Sequence, residues 1–136
     1  SRWVRAGASA RTGTLAQGNT QASVLLPMGR DGPAFIAYRN FDVFFEWNQS
    51  FTYVTTAAYF ATRLTGAPVF NARTPTPSLS DAQMKSLQQK LERRGYDVGK
   101  IDGILGARTR AAVRAEQLRL GLPADAWPTT GLLGQL

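Results

Sequence analysis

Residues 95–110, GYDVGKIDGILGARTR, place four glycines in sixteen positions between two short amphipathic patterns. Glycine reaches positive φ and admits close backbone approach. Gly95, Gly99, Gly103 and Gly106 therefore predict a helix stop, two tight turns and a helix start. Thr109 and the run Ala111, Ala112, Val113 then carry a new helix.

A chain of 136 residues suits one domain or two small ones, and a hydrophobic content of 43% suits a folded chain. No run of about 18 apolar residues occurs, so no transmembrane segment is expected. The opening Ser1-Arg2-Trp3 has neither Met nor a charged-then-apolar leader, which reads as a processed protein or a piece of a longer one, the piece being the favoured expectation. Cys and His are both absent. Disulfides, cysteine-ligated zinc, the usual transition-metal sites and Ser–His catalysis are excluded, so no metal or cofactor is expected. The formal charge of +7 points to an acidic partner, either nucleic acid or an anionic polysaccharide–peptide network. Arg30, Arg39, Arg63 and Arg73 are dispersed, and clustering occurs only at Arg93-Arg94 and from Arg108 to Arg114. No nucleic-acid motif and no interleaved basic and aromatic platform accompanies them, so nucleic acid is not the expected partner.

Composition shifts at residues 71–79, where prolines alternate with threonines and predict an extended, poorly packed linker. The boundary divides the chain into residues 1–70, the linker 71–79 and residues 80–136. Residues 1–20 read as irregular chain. Residues 22–27 and 34–38 read as strands of a hairpin around Gly29-Arg30-Asp31-Gly32. Asn40 is the expected N-cap of a helix from Phe41 to about Asn48. A second helix runs from about Ser50 to Thr65 and stops at Gly66, with Phe51, Val54, Ala58 and Ala61 inward and Tyr53 and Tyr59 on other faces.

The last part reads as three short helices. Ser80 caps the first, Met84, Leu87 and Leu91 form its buried stripe, and Gly95 ends it. The second spans about Ala107 to Leu120, with Ala111, Val113, Leu118 and Leu120 making the apolar contacts. The third spans about Thr129 to Gln135, with Leu132, Leu133 and Leu136 inward. A module this small needs nearly every apolar side chain in its core.

Asp42 and Glu46 share a helix face, and paired carboxylates in a sugar cleft suit a hydrolase. The plainer expectation is a solvated helix face, since nothing adjacent desolvates either acid. In the run Glu46 to Tyr53, Trp47 and Tyr53 supply rings that stack on sugars, and Asn48 supplies an amide for hydroxyl or N-acetyl groups. The same residues also suit core packing and a helix cap. Asp97 to Gly103 lacks the ligand spacing and the closing Glu of a calcium loop.

LQQKLERRGYDVGKIDGILGARTRAAVRAEQ resembles the peptidoglycan-binding repeat, with its helix, Gly-Tyr, Asp-Gly turn, Gly-x-x-Thr and Ala-Val. Glu116 stands where that family usually has an aromatic residue, which predicts weaker packing there, and Ala126-Trp127 replaces a glycine-containing turn. Upstream, Trp3-Val4-Arg5-Ala6-Gly7, QASVLLPMGRDGPAFIAYRNF and EWNQSFTYVTTAAYFATRLTG resemble, in order, the end of the catalytic domain of family-B lytic murein transglycosylases. The two resemblances imply a mainly α fold: a lysozyme-like catalytic-domain fragment with a small β-hairpin and two helices, then a three-helix peptidoglycan-binding domain.

The resemblance implies an enzyme that cleaves the MurNAc–GlcNAc bond without water. One glutamate acts as acid and then as base, leaving a 1,6-anhydro ring. In the family that glutamate lies upstream, in a glycine-flanked helix this chain lacks. No catalytic residue is therefore expected here, Glu46 is not in the matching position, and the segment alone should be inactive. Trp47, Asn48 and Tyr53 match cleft residues by position, with Trp47 where relatives often carry Tyr. Tyr96, Leu105 and Arg108 are the candidates for a groove on the wall module. The implied partners are glycan strands, stem peptides and the upstream part of the same catalytic domain. The implied location is the periplasm, with an outer-membrane anchor preceding the segment left open. The alternative is a non-catalytic peptidoglycan-binding protein.

Overall fold

Gly29 and Gly32 turn the chain back on itself and build a hairpin from its first apolar runs. A computed structural model describes residues 20–48 and 50–136, so the irregular reading of residues 1–20 falls, but for Thr20, outside the described residues. Strand β1 (Ala22–Leu25) pairs antiparallel with β2 (Phe35–Tyr38), Ala22 opposite Tyr38 and Leu25 opposite Phe35. The connection closes with the Gly29 N–H on the Leu26 carbonyl (3.2 Å) and the Gly32 N–H on the Gly29 carbonyl (3.2 Å). Gly29 adopts φ +74°, and a Cβ there would stand 2.7 Å from the Cβ of Trp127. Both the conformation and the close approach demand glycine.

Helix α1 (Asn40–Trp47) starts one residue earlier than expected. Arg39 is its N-cap, without a side-chain cap bond, and Asn40 is the first helical residue instead of the cap. The Asp42 N–H already bonds the Arg39 carbonyl (3.1 Å), so the backbone turn begins before Asn40 can offer its side chain. Helix α2 (Phe51–Leu64) is capped by Ser50, whose hydroxyl accepts the Tyr53 N–H at 3.3 Å. Ring contacts bind these elements: Phe41 to Phe45 at 5.4 Å, and Phe45 across the corner to Phe51 at 6.1 Å. A second group joins β2, α2 and the chain beyond it, with Phe35, Tyr59 and Phe70 at 4.9–6.0 Å. Tyr59 is thus a packing residue, whereas Ala61 is exposed.

The C-terminal part forms α3 (Asp81–Arg93), α4 (Ala107–Arg119) and α5 (Thr130–Gln135). Ser80 and Gln83 make a reciprocal capping box at the start of α3. Met84, Leu87 and Leu91 are buried with Leu79, Val98, Ala112, Val113 and Leu132 in one aliphatic core. Leu133 and Leu136 pack against its edge, and Thr129 caps α5 by accepting the Leu132 N–H at 3.1 Å. The α4 expectation needs correction. Its buried residues are Thr109, Ala112, Val113, Glu116 and Gln117, while Ala111 and Leu118 are exposed. The inward face of α4 is half polar, so a count of apolar letters misplaces it.

Polar side chains explain why the glycine-rich loop holds its shape. Gln88, fully buried, accepts the Gly103 N–H at 2.9 Å and directs its amide N–H groups at Asp102, the Ile104 carbonyl and Thr109. Thr109 in turn donates to the Val98 carbonyl at 3.2 Å. Gly95, Gly99 and Gly103 have positive φ, but Gly106 does not and serves as the N-cap of α4 at φ −82°. Gln117 treats the next loop similarly, accepting the Ala126 N–H (3.0 Å) and donating to Asp125 (2.9 Å) and to the Trp127 carbonyl (3.2 Å). Buried amides with every bond made specify a loop more tightly than apolar packing does.

Residues 71–79 carry no helix or strand, as the composition predicts, yet they are not loosely packed. Leu79 is part of the aliphatic core, and the indole N–H of Trp127 donates to the Thr76 carbonyl at 2.9 Å. The partner that holds the connector lies 51 residues away, beyond the reach of local composition.

Candidate functional site

The corner between α1 and α2 is built by short polar side chains. Asn48 is extended (φ −146°, ψ 124°), and its Oδ1 accepts the Ser50 N–H at 2.8 Å. That Asx turn joins the two helices, with Trp47 at the end of one and Tyr53 in the first turn of the other both exposed. Trp47 is 66% exposed, Tyr53 is 51% exposed, and their ring centroids lie 5.5 Å apart at 46°. Two large rings held open to solvent do not behave as core, and such faces suit the C–H surface of a sugar. The Asn48 amide is half-buried, with its Oδ1 engaged within the turn.

The glutamates sit in different settings. The chain has three glutamates. Glu46, with Asp42, lies on the exposed side of α1, and Glu92 is exposed on α3. Glu116 is fully buried, and it receives Arg119 Nη2 at 2.7 Å, Arg119 Nε at 3.0 Å, the Tyr96 hydroxyl at 2.9 Å and Arg94 Nη1. The Arg119 hydrogen bonds outweigh burial and, with Tyr96, lower its pKa to about 2. The side chain standing in an aromatic position therefore does not loosen the module: it is locked there as an ion. The same bond raises the pKa of the Tyr96 hydroxyl. Among the described residues no group of three or more His, Cys, Asp or Glu could hold a metal ion.

The three wall-module candidates turn to different partners. Tyr96 gives its hydroxyl to Glu116 and packs its ring on the core. Leu105 packs on the core from the other side and lines a cavity between the two parts of the chain. Arg108 pairs with Asp97 at 3.2 Å, both side chains being about 70% exposed. Exposed pairs of this kind contribute about 0–1 kcal/mol.

The two parts meet at a contact that no local pattern in the sequence marks. The Arg30 N–H donates to Asp125 Oδ2 at 3.0 Å, and Arg110 Nη2 donates to the Pro27 carbonyl at 2.8 Å. The Arg110 guanidinium lies 4.6 Å from the Phe51 ring and 5.8 Å from the Trp127 ring. Burial lowers its pKa to about 10. Burial opposes ionisation of Asp125, but hydrogen bonds from the Arg30 and Trp127 N–H groups and from Gln117 prevail and hold its carboxyl below the ordinary range. Gly29 lets the hairpin turn lie directly on Trp127. Beside this contact a cavity of about 510 Å³ opens among Met28, Phe35, Tyr59, Leu105, Arg110 and Trp127.

Residues 1–62 match the Transglycosylase SLT domain family, and residues 80–136 match the peptidoglycan binding domain family. The chain thus matches these two domain families in order, and its mainly helical fold with one antiparallel hairpin fits a lysozyme-like transglycosylase fold followed by a three-helix module.

Among individual proteins it is similar to SltB3 from Pseudomonas aeruginosa. Crystal structures of that protein in complex with NAG-anhNAM-pentapeptide and with NAG-NAM-pentapeptide match at 38% identity and a TM-score of 0.72. The match covers 98% of this chain and 37% of the SltB3 chain, so the chain spans little more than a third of its relative's length. No curated protein sequence matches it.

Proposed function

We propose that these 136 residues are the C-terminal portion of a periplasmic lytic murein transglycosylase, supplying one wall of the glycan cleft and the module that holds the enzyme on peptidoglycan. The observation that carries this reading is the solvent-facing Trp47–Tyr53 pair, 5.5 Å apart, within the segment matched to the transglycosylase domain. In the intact enzyme one glutamate protonates the leaving oxygen between MurNAc and GlcNAc. As carboxylate it then takes the proton of the muramoyl 6-hydroxyl, which closes the 1,6-anhydro ring. No glutamate of this chain suits that part. Glu116 is ionised and fully bonded, and a general acid must hold its proton near neutral pH. The acid belongs to further protein packed against α1 and α2, whose outer faces keep Val43, Phe60 and Leu64 exposed.

In this reading Trp47 and Tyr53 stack on sugar rings while the Asn48 amide group contacts a hydroxyl or N-acetyl group. Tyr96, Leu105 and Arg108 border the wall module's own contact with the polymer. Titrating the chain with NAG-anhNAM should perturb the indole N–H of Trp47, and Trp47→Ala should weaken binding about tenfold, in line with the loss of one ring stack. Equal binding by Trp47→Ala would remove the corner from the cleft. The bonded state of Glu116 also supports a second reading, a non-catalytic wall-binding protein. The two readings separate when the chain is supplied with the rest of its catalytic domain: only the first predicts that activity appears.

A further inference from the structure

Helix α4 has two working faces. Thr109, Ala112, Val113 and Gln117 face the module's interior. Ala107, Arg110, Ala111 and Arg114, spaced three or four apart, line a groove of about 330 Å³ whose opposite side includes Phe45 and Phe51. The alanines keep the floor low, and Arg110 lies against the Phe51 ring at 4.6 Å, so Arg114 is the arginine left open to the groove. Charge on this face is unbalanced. Among the described residues no ion pair joins a carboxylate to Arg110 or Arg114. Among the described residues the Arg110 guanidinium donates to the Pro27 carbonyl and lies over the Phe51 and Trp127 rings, and its buried Nε has no hydrogen-bond partner. Asp125 also lines the groove, but its oxygens are taken by the Arg30 N–H, the Trp127 N–H and Gln117. A desolvated guanidinium without an acid favours an incoming anion, and Arg grips carboxylates in a fixed fork geometry.

We propose that this groove is a peptide-carboxylate subsite, in which Arg114, backed by Arg110, binds a free carboxylate of a wall stem peptide. The occupant follows from charge and position. Phe45 and Phe51 flank the corner that presents Trp47, Asn48 and Tyr53. A ligand whose sugar rests on that corner would carry its peptide along the rings toward the arginines. In this respect the inference rests on the glycan reading of the corner, although the groove itself reads only the peptide.

The test titrates the isotope-labelled chain, followed by NMR, with three probes: the pentapeptide of the SltB3 ligand without sugar, the same peptide with its carboxylates converted to amides, and NAG-NAM without peptide. The acid peptide should perturb the amides of Ala107 to Arg114 and bind about tenfold more tightly than the amidated one, the effect of one charge-assisted contact. Arg114→Gln should abolish that difference, and Arg114→Lys should retain most of it. Arg114 is exposed and makes no ion pair among the described residues, so neither substitution disturbs folding. Equal binding of acid and amide, or a preference that survives Arg114→Gln, overturns the subsite. If the peptide behaves as stated while NAG-NAM leaves the Trp47 corner unperturbed, the subsite stands and the glycan reading of the corner falls. The converse result removes the subsite alone.

Discussion

The two parts of this chain bury their apolar residues in opposite ways. In the wall module the aliphatic stripe of α3 closes against α4 and α5, and Leu87, Leu91 and Val113 lose all contact with water. Among the described residues of the transglycosylase-type part only Val54 is buried so completely, and rings meet rings while Val43, Phe60 and Leu64 stay exposed. The first arrangement completes itself within about sixty residues, a size at which every core contact counts. On the proposed reading the second is a surface shaped to receive something: sugar at the Trp47 corner and the rest of a catalytic domain beside it. Where a region stops burying its aromatics, function begins to explain them better than stability does.

Truncation breaks the comparison most sharply. Leu87→Ala should cost about 3 kcal/mol and leave the module largely unfolded at 37 °C by circular dichroism. If the exposed Phe60→Ala costs as much, the contrast is wrong. Next in size, Gln88→Leu strands the Gly103 N–H and should cost about 2 kcal/mol, seen as faster hydrogen exchange at Gly103. Gly29→Ala acts between the parts. Its Cβ would stand 2.7 Å from that of Trp127, so proteolysis within residues 71–79 should accelerate while the module's own melting is unchanged.

Acid gives a smaller, graded effect. The Glu116 carboxyl is more acidic folded (about 2) than at its ordinary value of 4.5. Its stabilisation is therefore complete above pH 4.5 and is lost as pH falls toward 2. Glu116→Gln should remove that part of the acid slope in an unfolding titration and lower stability at neutral pH. Smallest of all, Trp47→Ala should change stability by no more than about 0.5 kcal/mol while weakening glycan binding.

The helices of the wall module were legible because their signals are local. Ser80 with Gln83 announces a start, Met84, Leu87 and Leu91 repeat at helical spacing, and Gly95 closes the turn. Helix α4 was legible in extent but not in orientation. Its inward face includes Glu116 and Gln117, which burial tolerates only because Arg94, Arg119, Tyr96 and Asp125 arrive from elsewhere. An Arg three residues after a Glu is the only trace of this in the sequence, and the same spacing is common on solvated helices. The connector misled for a related reason. Alternating Pro and Thr describe its conformation correctly, but composition carries no record of Trp127 reaching back to Thr76. The Trp47–Asn48–Tyr53 corner was visible as residue types, and its outward display needed the Asx turn at Asn48.

The central claim is that this chain holds peptidoglycan without carrying the group that cuts it. The most direct measurement incubates the purified 136-residue chain with intact sacculi, then assays the pellet for protein and the supernatant for anhydro-muropeptides. The account predicts that the chain sediments with the sacculi and that no anhydro-muropeptides are released. Release of anhydro-muropeptides by this chain alone, or its failure to sediment, would contradict the account.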